Sequence, residues 1–114
     1  MFVKQLSIFV ENKSGRLADI IDAIAAAGID IRAVSIADTT DFGILRLIVN
    51  DTEKAINIMK EAGFTVGRTA VVAVEVDDKP GGLNNILEAL SGQNVNVEYM
   101  YAFVQEGGGS ATMI

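Results

Sequence analysis

The chain has 114 residues, no cysteine and a formal net charge of −6. Half of it is apolar, enough to fill one compact core or two small ones and too much for a disordered chain. These figures exclude disulfides and thiolate metal sites, argue against a nucleic-acid phosphate backbone as partner, and leave no apolar run near the ~20 residues of a bilayer span. Lys4 near the amino terminus is not followed by the apolar run and small residues of a signal peptide, so a cytoplasmic protein is expected.

In chain order, residues 3–10 read as a strand. Leu17, Ile20, Ile21 and Ile24 fall at i, i+3, i+4 and i+7, one face of a helix over about 15–27. Gly28 follows, where a helix end commonly demands positive φ, and a second strand is predicted over about 29–37. Asp41-Phe42-Gly43 marks a turn into a third strand that runs to about Val49. Asn50 with Glu53 reads as a capping box opening a second helix, which turns Ile56 and Met59 inward and stops before Gly63. A fourth strand over about 64–70 completes the order strand–helix–strand–strand–helix–strand. That order predicts a ferredoxin-like α+β sandwich, βαββαβ, with helices on one face of an antiparallel sheet. If Leu45 and Leu47 face the helices, Ile44 and Ile48 make the other face apolar as well, which suggests that it packs on something.

The chain then repeats itself. Residues 6–48 align with 72–114 at a constant offset of 66. Ile8 and Val10 match Val74 and Val76, the helical set matches Leu83, Ile86, Leu87 and Leu90, and Ile29 and Ile31 match Val95 and Val97. Asn94 takes the place of Gly28. This is an internal duplication, with units expected over 1–70 and 71–114. Ile114 aligns with Ile48 in mid-strand, so the second unit is expected to be truncated after its third strand, with association through the uncovered edge as a consequence.

Most catalytic chemistry is missing. The chain has no histidine, cysteine or tryptophan, which removes Ser-His and Cys-His nucleophilic devices and the usual zinc sites. Asp38 and Asp41 read as a solvated turn rather than a cation site, and Glu106-Gly107-Gly108-Gly109-Ser110 lacks the lysine and following helix of a phosphate loop. The expectation is a protein that is not an enzyme and has no metal or cofactor.

What remains is the duplicated loop, Glu11-Asn12-Lys13-Ser14-Gly15-Arg16-Leu17 and Asp77-Asp78-Lys79-Pro80-Gly81-Gly82-Leu83. Amides at a helix start lack intrahelical partners, and a glycine turn lets a carboxylate approach them. Ser14 is a candidate cap for the first helix, and Pro80 suits the opening turn of its counterpart.

These loops, each after a strand, together with Ala27-Gly28-Ile29-Asp30-Ile31 and Gln93-Asn94-Val95-Asn96-Val97 opening the next strand, make the chain resemble tandem ACT domains. The run from Ser35 to Val49 looks particularly like small free-standing two-ACT proteins of bacteria. The resemblance implies a regulatory protein that binds an amino acid at an interface between units. By position it implies a site from Asn12, Lys13, Ser14, Gly15, Arg16, Leu17, Asp30 and Ile31 in the first unit. In the second it implies Asp78, Pro80, Gly81, Gly82, Leu83, Asn96 and Val97. The loop amides would take the α-carboxylate, and an Asp or Asn of the facing unit the α-ammonium. A homo-oligomer, at least a dimer, is implied, with a metabolic enzyme as a possible further partner and neither nucleic acid nor membrane. The alternatives are a regulatory subunit of an amino-acid biosynthetic enzyme, such as branched-chain acetohydroxyacid synthase, and a ligand-free dimerisation module.

Overall fold

The computed structural model describes residues 2–11, 13–38, 42–77, 79–104 and 110–113. The chain divides into two compact units, Val3–Val71 and a second comprising Val72–Ile114 with Met1–Phe2.

In the first unit the elements are β1 (Phe2–Glu11), α1 (Arg16–Ala26), β2 (Ile31–Asp38), β3 (Phe42–Val49), α2 (Thr52–Glu61) and β4 (Val66–Val72). The strands form one sheet in the order β2-β3-β1-β4. β3 is antiparallel to both of its neighbours. This is the ferredoxin-like α+β arrangement that the element order predicts.

The alternation along β1 and β3 decides where the core lies. Leu6, Ile8 and Val10 pack with Leu45, Leu47 and Val49 against Ile20 and Ile24 of α1 and Ala55, Ile56 and Met59 of α2. Leu45 and Leu47 therefore do face the helices. Ile48, on the opposite face of the sheet, is buried as well, and Ile44 is half-buried.

Helix ends follow their glycines. Gly28 has φ 75°, and the amides of Gly28 and Ile29 bond back to the carbonyls of Ala25 and Ile24, the paired closure of a Schellman motif. Gly63 (φ 88°) ends α2 in the same way, with Phe64 bonding to Met59. The expected Asn50–Glu53 capping box does not form. Asp51 is the N-cap, its side chain accepting from the Lys54 amide at 3.2 Å. Asn50 instead binds the chain at Asp30, twenty residues away.

The second unit comprises β5 (Val74–Asp77), α3 (Gly82–Gly92), β6 (Ala102–Val104) and β7 (Ser110–Met113), with sheet order β5-β7-β6. Asn94, at φ 57°, closes α3 as Gly28 closes α1, with the Val95 amide on the Leu90 carbonyl.

Two expectations fail here. The constant offset of 66 does not hold through the last strand. Four residues separate the paired Asp38 and Gly43, but six separate the paired Val104 and Ala111. The second hairpin is longer by two, so Met113 rather than Ala111 stands where Leu45 does. Nor do residues 95–101 form the expected second strand. The ladder of β6 begins only at Ala102, which pairs with Met113.

Candidate functional site

The duplicated loop has one backbone geometry in both units. Gly15 lies at φ 85°, ψ −12° and Gly81 at φ 85°, ψ −7°, each at the N-cap and each left-handed. The Arg16 amide bonds to the Lys13 carbonyl at 3.3 Å, and the Gly82 amide to the Lys79 carbonyl at 3.1 Å. A closing bond from i+3 to i, with φ near +80° and ψ near 0° at i+2, is a type II turn. Ser14 and Pro80 then occupy i+1, the position that proline favours.

This corrects the expected roles of both residues. Ser14 is not a cap, since neither α1 nor α3 has a side-chain cap bond, and Pro80 lies before the helix rather than in its first turn. The consequence bears on binding. The amides of Arg16 and Gly82 are spent on the turn, but among the described residues no side-chain oxygen takes those of Leu17 and Ala18 or of Leu83 and Asn84, next to the positive end of the helix dipole. The carbonyls of Gly15 and Gly81 accept from Asp19 and Asn85, which starts each helix.

Lys13, Ser14, Gly15, Arg16 and Leu17 are all exposed in this turn, as are Pro80, Gly81 and Leu83, whereas Gly82 is buried. Asn12 and Asp78 lie outside the described residues, as do Asp41 and residues 106–109. Lys13 makes an ion pair with Glu11 at 3.1 Å. The Arg16 guanidinium has no ion pair among the described residues.

The second group of expected site residues is not beside this loop within its own unit. Ile31 pairs with Val49, and Leu6 pairs with Leu47, so Asp30 and Ile31 lie level with the start of β1. The loop begins after Glu11, at the other end of that strand. Glu11 lies seven steps along the strand from Lys4, or ~23 Å at about 3.3 Å each. The second unit behaves alike. Ala102 is level with Val74, so the stretch carrying Asn96 and Val97 enters the sheet at the end away from the Gly81 turn.

Asp30 is nevertheless firmly placed. Its amide donates to Asn50 Oδ1 at 3.0 Å, and its carbonyl accepts from the Asn50 amide at 3.1 Å. Held on both sides through the backbone, Asp30 presents an exposed carboxylate that makes no ion pair among the described residues. Asn50 is thus a positioning residue that the local sequence disguised as a cap.

Sequence reasoning also missed a cavity at the carboxyl end of β1. It has a volume of about 320 Å³ and is lined by Phe9, Glu11, Arg16, Phe42 and the segment from Ala62 to Thr65. Among the described residues no cluster of three acidic side chains is placed to hold a metal, and no helix is long and apolar enough to cross a membrane.

Comparison with known proteins agrees with the topology. The family described as an ACT domain pair matches residues 1–113. Protein BT0572 from Bacteroides thetaiotaomicron superimposes with a TM-score of 0.92 at 43% identity, over 99% of this chain and 77% of that one. The ligand-free regulatory subunit of aspartate kinase from Thermus thermophilus gives 0.70 at 15% identity, over 96% and 79%. Aspartate kinase from Clostridium acetobutylicum gives 0.56 at 18% identity, over 98% of this chain and 29% of that enzyme. At such identities the two kinases show a shared fold. No curated protein matches. Because the family extends over nearly the whole sequence and a 43%-identical structure shares the fold, the chain belongs to the ACT domain pairs.

Proposed function

We propose that this protein is a non-enzymatic regulator that binds an amino acid at an interface between ACT units. The observation that carries the reading is the separation of two complementary half-sites. The type II turn at Gly15 offers helix-start amides to a carboxylate, while Asp30, fixed by Asn50, offers a carboxylate to an ammonium group ~23 Å away at the other end of the sheet. An α-amino acid spans only a few ångströms. One ligand therefore meets both half-sites only where the turn of one unit faces the β2 entrance of another, in the second unit or in a second copy.

The edge strand supports association. Val34 and Ile36 pair with the buried Leu47 and Leu45 and share their face, yet they are 56% and 52% exposed. Leu17 of α1 is exposed as well. Such an apolar strip beside an open strand edge fits self-association. A ligand that prefers the associated state then shifts that equilibrium by its differential affinity, which is what a regulatory module requires.

The test is a thermal-shift screen of the intact chain against the twenty amino acids. A ligand present at ~100 times its dissociation constant adds about 2.7 kcal/mol of stability. The reading expects a shift with one or a few amino acids that is lost in Asp30→Ala. No shift with any of them at millimolar concentration would instead favour the ligand-free dimerisation module.

A further inference from the structure

The entrance of β2 is held by one short segment, the junction between β3 and α2. Asn50 binds Asp30 on both sides of its backbone, its Oδ1 taking the Asp30 amide at 3.0 Å. One helical turn further on, the Lys54 ammonium donates to the Ala27 carbonyl at 2.8 Å. Ala27 is the C-cap of α1, so the cation meets the negative end of the helix dipole and a carbonyl for which the helix has no partner. Residues 27 to 30 are thus pinned at both ends, by the side chains of Lys54 and Asn50.

Most ionic groups at this end of the sheet are spent on one another. Glu53 pairs with Arg68 and, at 3.9 Å, with Lys4, and the Asp51 carboxylate takes the Lys54 amide. Arg32, two residues beyond Asp30, makes no ion pair with it among the described residues. A lysine placed as Lys54 is competes with a ligand's ammonium for Asp30 unless another acceptor holds it. The Ala27 carbonyl is that acceptor, and Asp30 stays exposed.

We propose that Lys54 is a positioning residue for amino-acid binding. By holding Ala27 it fixes the approach to Asp30, and with its charge engaged there it leaves the Asp30 carboxylate to the ammonium group of the ligand. Lys54 acts through Asp30 and not on the ligand. The inference rests on the amino-acid reading above and deepens the account of that same site.

The experiment compares the intact chain with Lys54→Met and Lys54→Arg. Each of the twenty amino acids is titrated by calorimetry, and amide hydrogen exchange is followed by NMR without ligand. Methionine keeps the length of the stem and removes the charge, whereas arginine keeps a cationic donor. Lys54→Met is expected to weaken binding by about fivefold and to speed exchange at the Gly28 and Asp30 amides. Lys54→Arg should restore both, with affinity within about twofold of the parent, a rescue that a role in packing alone does not give. Lys54 is exposed, and circular dichroism checks that each variant is folded. Affinity within twofold of the parent in Lys54→Met, unchanged exchange at Asp30, or a loss that arginine does not restore would overturn the inference and leave the amino-acid reading standing. No binding of any amino acid by the parent chain would overturn both.

Discussion

Gly15 and Gly81 hold the same left-handed conformation in the same turn, and a Cβ built on either meets nothing within 4 Å. The penalty for alanine is therefore backbone strain alone, and Gly15→Ala and Gly81→Ala are each expected to cost about 1–2 kcal/mol in urea denaturation. Asn50 and Asp51 offer a sharper pair. Both are good N-cap residue types, and their bonds tell them apart: Asn50 accepts from the Asp30 amide and Asp51 from the Lys54 amide. Asn50→Ala should cost about 1 kcal/mol and speed hydrogen exchange at the Asp30 amide, leaving the first turn of α2 protected. Asp51→Ala should cost a similar ~1 kcal/mol and show the reverse pattern. The capping-box expectation failed for this reason. Sequence rules see neighbours three residues on, and the competing partner lies twenty residues back along the chain.

At the scale of elements, helices and strands were legible because burial imposes its period on the sequence. Ile20 and Ile24 of α1 and Met59 of α2 are fully buried, as their spacing predicts, and Met59→Ala is expected to cost about 2–5 kcal/mol. Turn type was legible only in retrospect. The Pro80-Gly81 pair spells a type II turn, and the matching backbone at Gly15 makes Ser14 its i+1 residue. Ser14→Pro should then stabilise the chain by about 0.4–1 kcal/mol, measured by thermal or urea unfolding, and a loss of stability would show that the turn does not accept proline there. The longer second hairpin left no trace in the pattern of side chains. A shift by two residues keeps every side chain on its own face, so apolar alternation reads the same with or without it. Residues 95–101 show the opposite limit. Their alternation is strand-like, but a strand is defined by its ladder, and the ladder of β6 begins only at Ala102.

For the whole molecule, the apolar strip along β2 is the feature with the widest consequence. Val34→Lys with Ile36→Lys adds charge to exposed positions of an edge strand and should reduce the mass seen by light scattering, with secondary structure unchanged. The site's residue types were visible in the sequence, but their placement was not. Sequence spacing brings Asp30 within fifteen residues of Gly15, whereas the fold puts them at opposite ends of one sheet. That separation is the core of the account, and amide NMR of the intact chain, titrated with each of the twenty amino acids, tests it most directly. With one or a few of them, the account predicts saturable shifts at Lys13–Leu17 and at Asp30–Ile31 together, with one dissociation constant. Shifts confined to one end of the sheet, or none with any amino acid, would contradict it.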